Sequence, residues 1–457
     1  MSPTGMKGTK DERSSRRASG SGVRGGWIAP AWLALLALVC AAEVATHAGS
    51  RNGFLVSSRP QYSLNDALPG EGYVSWAGAV PVLHDADGIF TLVAFWLGER
   101  GPADTGILDR RAGYAYLASL AVPWAGEYAG YLVVNWLFWW GAAAAAYWLA
   151  RRRWSDMSLA LVFSFLVATG HGLLFMAGVP MSYLAAYASM LLVLALAERL
   201  GAFTARARLG AWLLLGWAAG VASTLYFAHI PIAIFWWVYG ARRVAWRYLL
   251  AGTAVALAIS AAWEVFGRLV VGLGFTTDNS GAIGEAIGAW ARHLQTTYVA
   301  TLTVVRAAPA GGTLLGAFAL PWWLLAALGF AASSRDDREW ALALGMAGLL
   351  PAIVIISLLP MPRAAFYMYP AVYLLAARGA LVLGRWGAAG LANLTRWPPS
   401  VAGRGYDTAA VEARWRRIAT GAMVAAVAGA LALVSNVDQL DDHRLNQGFH
   451  FSAGGGW

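Results

Sequence analysis

The feature that most constrains this chain is a series of long apolar stretches, separated by shorter polar segments. An α-helix needs about 20 apolar residues to cross a hydrocarbon layer of about 30 Å, and most of the stretches approach that length. We predict spans at residues 27–46, 126–150, 158–177, 181–197, 209–224, 226–240, 248–266, 313–332, 341–359, 366–384 and 418–435. The pattern predicts an all-α, polytopic membrane protein with about eleven transmembrane helices. Residues 209–240 could instead form one broken or re-entrant pair, so the predicted count carries an error of about one helix.

The composition agrees with a membrane protein. Of the 457 residues, 59% are hydrophobic and 13% are charged, whereas a soluble domain averages about 25% charged residues. The 24 Trp and 17 Tyr residues suit rings placed at bilayer interfaces as well as in a packed core. The single cysteine, Cys40, lies within the first apolar stretch and excludes a disulfide within the chain.

Basic residues are distributed unevenly between the two sets of connecting segments. With the N-terminus inside, 24 of the 34 Lys and Arg residues fall in inner segments. Positive charge favours the cytoplasmic side of a membrane protein. We therefore predict an integral protein of the plasma (inner) membrane with a cytoplasmic N-terminus and an outer C-terminus. The net charge of +10 follows from this topology, so the predicted partner is the lipid bilayer and not nucleic acid.

The spans also divide the chain into domains. We predict a disordered basic cytoplasmic tail at 1–26, a transmembrane domain at 27–435 and an extracytoplasmic tail at 436–457. A cleaved signal peptide is the alternative for the first span, because a basic segment precedes it. The longest segments between spans are the first outer loop, 47–125, the second large outer loop, 267–312, and the cytoplasmic loop, 385–417.

Within the first outer loop, residues 83–122 combine charged and aromatic side chains. Asp85 and Asp87 stand two apart in HDADG, and Arg110 and Arg111 follow in LDRRAGYAYL. An acidic pair held against a bilayer surface, with arginines nearby, suits chemistry on a charged, lipid-linked substrate.

With these residues in this order, the chain resembles the GT-C superfamily of polytopic membrane glycosyltransferases. Ala115 stands where the family usually has Pro, and the stretches 172–196 and 360–383 are similar to the family's tight outer connection and late Pro-Arg-aromatic-Pro segment. The matching residues form an acidic pair with Gly and an aromatic residue, followed by Arg and Gly-Tyr: Asp85, Asp87, Gly88, Phe90, Arg111, Gly113 and Tyr114.

The resemblance implies a GT-C-like bundle whose large first extracytoplasmic loop contains juxtamembrane helices. It also implies an integral-membrane glycosyltransferase that uses a polyprenyl-phosphate sugar as donor, with no nucleotide sugar. The acceptor would be an extracytoplasmic glycan, lipid or protein, and transfer of the hexose or pentose would invert the anomeric carbon.

The acidic pair supplies the candidate general base. A carboxylate can deprotonate the acceptor hydroxyl as it attacks the anomeric carbon, and one positioned base contributes about 10²–10⁴-fold in rate. We predict Asp87 as the base, with Asp85 as the second candidate. The alternative is that one of them caps a helix that starts near Gly88, because Asp is a preferred N-cap residue.

Arginines supply the candidate phosphate site. Arg363, Arg111 and Arg110 are predicted to bind the donor phosphate, because a guanidinium binds phosphate through two parallel hydrogen bonds. Each has an alternative role. Arg363 could extend to lipid headgroups, and Arg110 and Arg111 could pair with Asp109.

Four further residues are predicted to line the cavity: His171, His229, Tyr114 and Tyr367. Polar side chains within a membrane bundle usually face a cavity or other helices. Histidines hydrogen-bonded within the bundle are the simpler alternative. We assign no metal-ligating residues and leave a divalent metal open. No P-loop, dinucleotide fingerprint or HExxH motif is present in the sequence.

Two other functional classes compete with the enzyme. One is a flippase or transporter of lipid-linked sugars. The other is a polymerase or ligase of surface polysaccharide, which would need paired arginines in a late outer loop where this chain has only Arg363. Transporters carry ionisable residues near the membrane midplane, whereas the acidic residues here gather in outer loops. That distribution favours the enzyme.

Overall fold

The computed structural model describes residues 27–50, 96–98, 112–170, 182–204, 207–269, 320–358, 367–395 and 413–433. Most of both large outer loops and both terminal tails lie outside these ranges. The regular secondary structure within them is helical throughout. The helices are α1 (Ile28–Ser50), α2 (Ala112–Ala125), α3 (Glu127–Trp154), α4 (Met157–Thr169), α5 (Tyr183–Leu200), α6 (Leu209–Ser223), α7 (His229–Gly240), α8 (Trp246–Leu269), α9 (Leu320–Ala331), α10 (Arg335–Leu358), α11 (Tyr369–Thr395) and α12 (Ala413–Leu433).

Several of these helices are long and apolar enough to cross a membrane. Among the described residues, five meet both requirements: Ile28–Ala45, Ala129–Trp154, Tyr183–Leu200, Trp246–Phe266 and Ala413–Leu433. Shorter apolar helices are Met157–Thr169, Leu209–Ser223 and Pro321–Ala331. The predicted all-α, polytopic architecture is confirmed, and the count of eleven spans stays a prediction. The helix α2 lies within the predicted first outer loop, as expected for a juxtamembrane helix.

The centre of the core is α3, which packs against α1, α2, α4 and α5. Two stacked indoles on its surface, Trp136 and Trp140, donate hydrogen bonds to the carbonyl oxygens of Ala37 and Leu33 in α1, at 2.9 and 3.0 Å. A buried N–H without a partner is expensive in a lipid environment. These bonds therefore fix the rotation of α1 against α3.

Glycines let other helix pairs approach closely. A Cβ at Gly329 of α9 would overlap the backbone of Leu375 in α11, and one at Gly379 of α11 would overlap Leu325 in α9. The same applies to Gly216 of α6 against α8. Small residues at these positions are typical of membrane bundles, where close packing replaces the hydrophobic effect as the force between helices.

The region 209–240 consists of two helices separated by residues 224–228, which we call the 224–228 turn. A helix of the length of α7, 12 residues, spans about 18 Å. One end of α7 meets the turn, and the other leads to Arg243. Arg153 at the end of α3, Glu198 near the end of α5 and Asp336 at the start of α10 lie at that second end, where Arg153 and Arg243 both contact Asp336. The distribution of basic residues assigns the segments around these arginines to one face.

Candidate functional site

The sequence-predicted site residues fall into two groups. Tyr114, His229 and Tyr367 belong to the described part of the chain. The candidates for base and phosphate binding, together with the second histidine, lie outside the described residues: Asp85, Asp87, Arg110, Arg111, Arg363 and His171.

Tyr114 fixes the start of α2. Its side chain is fully buried, and its hydroxyl donates a 2.7 Å hydrogen bond to Oδ1 of Asn135 in α3. The preceding residue, Gly113, donates its backbone N–H to the carbonyl oxygen of Thr224 at 3.3 Å. A Cβ at position 113 would overlap the Thr224 side chain. The Gly-Tyr pair therefore holds the start of α2 against both α3 and the 224–228 turn.

The 224–228 turn has an unusual backbone. Tyr226 and Phe227 are consecutive non-glycine residues with φ of 75° and 56°. A non-glycine residue with positive φ is uncommon, and each costs about 1–3 kcal/mol, so the conformation persists only where the surrounding structure enforces it. Tyr226 is 9% exposed, and its ring meets the ring of Tyr183 in α5 edge-on, with centroids 4.6 Å apart.

Tyr367, which lies just before α11, contacts the same turn. It is fully buried, and its hydroxyl donates a hydrogen bond to the carbonyl oxygen of Tyr226. A Cβ at Gly348 of α10 would overlap the backbone of Tyr367 and Met368, so α10 packs closely against the residues that precede α11.

The third described candidate, His229, is the first residue of α7 and directly follows the turn. Three of the sequence-predicted residues therefore lie around one structural element, although they are up to 253 positions apart. That they line a cavity stays a prediction.

Sequence reasoning missed the residues that hold this arrangement together. Asn135 is fully buried in an otherwise apolar segment of α3, and an isolated amide in such a segment is a usable signal. The backbone carbonyl groups of Thr224 and Tyr226 cannot be recognised as acceptors from the sequence, because every residue type has a backbone carbonyl.

A second polar cluster lies at the opposite end of α7, and we call it the ionic cluster. Its centre is Arg153, whose guanidinium lies 3.5 Å from Glu198 and in direct contact with Asp336. Arg243 pairs with both Asp336 and Glu339 at 2.7 Å. Arg378 of α11 pairs with Asp337 at 3.1 Å. The cluster thus joins α3, α5, α10 and α11 to the end of α7.

Aromatic rings complete the ionic cluster. The Arg153 guanidinium lies 5.3–5.6 Å from the ring centroids of Trp154, Tyr239 and Trp340. Trp340 also donates to Glu198 at 3.1 Å, and Trp154 donates to Asp337 at 2.6 Å. These carboxylates are engaged by arginine or indole donors, an arrangement that suits structural support better than proton transfer.

The arginines of the ionic cluster alter the acidity of two carboxyl groups. Burial raises the pKa of Asp336, but hydrogen bonds from Arg243 and the charge of Arg153 outweigh that effect and hold the pKa below its usual value. Hydrogen bonds from Arg243 and Arg335 likewise lower the pKa of Glu339. Both groups are therefore ionised at neutral pH.

Candidate metal ligands are sparse. In the part of the chain that the structure describes, no group of three or more His, Cys, Asp or Glu side chains is arranged to hold a metal ion.

Comparison with known proteins gives few matches. No family model matches this sequence, and no curated protein matches it. Among solved structures, the chain is similar to the archaeal oligosaccharyltransferase AglB of Archaeoglobus fulgidus in complex with an inhibitory peptide and a dolichol-phosphate, with a TM-score of 0.48 and 15% identity. That alignment covers 90% of this chain and 56% of the other.

Two further structures of the Archaeoglobus fulgidus oligosaccharyltransferase are similar. The apo form gives a TM-score of 0.47 at 14% identity and covers 90% of this chain and 57% of the other. The form tethered to an acceptor peptide gives 0.44 at 14% identity, covering 88% and 55%. This chain therefore spans little more than half of the length of the proteins it matches.

Proposed function

We propose that this protein is an integral-membrane glycosyltransferase. It moves a sugar from a polyprenyl-phosphate donor to an extracytoplasmic acceptor. Asp87 is the general base, with Asp85 as the alternative, and Arg363, Arg111 and Arg110 bind the donor phosphate.

The observation that carries the proposal is the meeting of two distant chain segments at the 224–228 turn. Gly113 bonds to Thr224, and Tyr367 bonds to Tyr226. Arg111 precedes Gly113 by two residues, which limits their separation to about 7 Å of extended chain. Arg363 precedes Tyr367 by four residues, a limit of about 14 Å. Two arginines 252 positions apart thus lie within four residues, along the chain, of residues that contact one turn, which supports a shared phosphate site.

In the proposed reaction, Asp87 accepts the proton of the acceptor hydroxyl while the hydroxyl oxygen attacks the anomeric carbon of the donor sugar. The new glycosidic C–O bond forms on the face opposite the phosphate, so the configuration at that carbon inverts. The bond between the anomeric carbon and the phosphate oxygen breaks. Polyprenyl phosphate departs with the bonding electron pair.

Arginines suit the leaving group. The phosphate gains negative charge as its bond to the sugar breaks, so donors aimed at its oxygens stabilise the transition state more than the ground state. Guanidinium groups stay protonated at any physiological pH and bind phosphate oxygens in pairs. Treatment with a chelator tests whether a divalent metal contributes to this charge balance.

The proposal is tested by incubating the purified protein, in lipid nanodiscs, with a polyprenyl-phosphate sugar and candidate extracytoplasmic acceptors. A glycosyltransferase releases polyprenyl phosphate and forms a new glycosidic product in equal amounts. A flippase or transporter reconstituted in vesicles moves the donor to the other leaflet and consumes none of it. A polymerase or ligase requires an acceptor that already carries a glycan chain. Donor movement without consumption would reject the enzyme.

A further inference from the structure

The 224–228 turn contacts three parts of the bundle that are distant in sequence. Its first carbonyl, from Thr224, accepts from the start of α2 through the N–H of Gly113. Its third, from Tyr226, accepts from Tyr367 at the start of α11. The Tyr226 ring packs edge-on against Tyr183 of α5. The described contacts therefore link the turn to α2, α5 and α11 at once.

The turn has little freedom to absorb a change in one contact alone. Tyr226 and Phe227 both hold positive φ without being glycine, a backbone conformation that persists only where neighbouring contacts enforce it. The position is also confined, because Gly113 leaves no room for a Cβ against Thr224. We therefore expect the loss of one enforcing contact to alter the backbone of the turn and, through it, the other contacts.

We propose that the 224–228 turn couples the start of α2 to the start of α11, with Gly113 and Tyr367 as its positioning residues. A change at Tyr367 then moves α2, although the hydrogen bond that Tyr367→Phe removes is to the turn and not to α2. A change at Gly113 moves α11 in the same way. The coupling is reciprocal because both contacts bias the same backbone conformation.

Distances measured between spin labels test this coupling without any reference to catalysis. Labels are placed at Leu120 of α2 and Leu213 of α6, which are 54% and 42% exposed, in a Cys40→Ala background. Tyr367→Phe removes the hydroxyl donor and keeps the ring. The expected result is a broadened or shifted α2–α6 distance distribution by double electron–electron resonance in nanodiscs.

Tyr187→Phe is the matched control. Tyr187 is 1% exposed on α5, and its hydroxyl has no hydrogen-bond partner among the described residues, so the same substitution removes no bond to the turn. The α2–α6 distribution should match that of the background protein. An unchanged distribution in Tyr367→Phe, or equal broadening in both variants, would overturn the proposal.

The reciprocal arm uses Gly113→Ala with labels at Leu213 and at Leu383 of α11, which is 39% exposed. The α6–α11 distribution should broaden, and an unchanged distribution in folded protein would overturn reciprocity. If this variant does not fold, the α2–α6 distance distribution in Tyr367→Phe alone decides whether the coupling exists. The effect of this coupling on turnover rests on the proposed function. If the coupling positions the catalytic site, Tyr367→Phe should lower kcat more than it raises KM for the donor. A distance change without a kcat change would retain the coupling and count against the proposed site.

Discussion

At the end of α3, the guanidinium of Arg153 is a largely buried charge with several partners. Its side chain is 11% exposed, and that of its partner Glu198 is 14% exposed. Removing one member of a buried ion pair leaves the other without compensation, which costs more than the pair itself contributes. The sequence does not predict these pairs, because the acidic partners of Arg153 are 45 and 183 positions away.

The first prediction concerns this residue. Arg153→Met keeps much of the side-chain volume but removes the positive charge beside the Glu198 carboxylate, which retains the Trp340 indole as a donor. The free energy of unfolding should therefore fall by roughly 3 kcal/mol. Thermal unfolding in detergent would show the change. Arg152→Met, one position away on an exposed side chain, should change the midpoint little. Equal midpoints in the two variants would contradict the assigned role of Arg153.

The second prediction is a pH dependence of the same cluster. Asp336 has a folded-state pKa below its ordinary value of 3.8, so its stabilising contribution is present above that value and is lost as the pH falls through the lowered pKa. Asp336→Asn should therefore unfold at a lower temperature than the unsubstituted protein at pH 7. The difference should shrink below pH 3.8. A difference that stays constant into that acidic range would show that charge pairing is not its cause.

The site residues illustrate how far single positions can be predicted. Tyr114 and Tyr367 were predicted as site residues from their place in or near motifs, and both are buried beside the 224–228 turn. Asn135 was not predicted, because its partner is 21 positions away and neither a helical period nor a motif links the two. The roles of Asp87 and Arg363 stay predictions.

At the scale of helices, hydrophobic length predicted most elements, whereas packing determined how they pair. The break near residue 225 was predicted from residue pattern and coincides with the 224–228 turn. The close approach of α9 to α11 was not predicted. Gly329 and Gly379 permit it, but 52 glycines are present in the chain, and composition alone does not distinguish those at contacts.

The third prediction tests this helix contact with two substitutions on α11. Gly379→Ala forces a methyl group into the backbone of Leu325 and should destabilise the protein by about 1–3 kcal/mol through overpacking. Gly390→Ala is the control, because nothing lies within 4 Å of the added Cβ. It should leave the midpoint unchanged or raise it, since Ala favours a helix by about 0.5–1 kcal/mol over Gly. Equal midpoints would contradict the close contact between α9 and α11.

At the scale of the whole molecule, the two ends of the bundle differ in chemistry. One end of α7 meets a turn held by tyrosine and backbone contacts, and the other meets the ionic cluster. Arg153 and Arg243 come from two segments with the same predicted sidedness, and they lie in that cluster together with Arg378 of α11. The orientation of the bundle in the membrane stays a prediction from charge distribution.

The fourth prediction therefore concerns topology. Single cysteines introduced at positions 90 and 450 in a Cys40→Ala background should react with a membrane-impermeant maleimide added to intact cells. Cysteines at positions 151 and 400 should react only after the membrane is permeabilised, because positive charge favours the cytoplasmic side. A cytoplasmic position 450 would require an even number of spans between the termini and would remove the support for an outer Arg363.

We propose that an acidic pair in the first outer loop catalyses sugar transfer, and turnover in Asp→Asn variants measures its contribution. Asp87→Asn keeps the side-chain shape and removes basicity, so transfer from purified polyprenyl-phosphate sugar should fall by about 10²-fold or more with donor binding little changed. Asp104→Asn, in the same loop, should retain activity. The double variant Asp85→Asn, Asp87→Asn should form no product above background, whereas full transfer activity in that variant would contradict the claim.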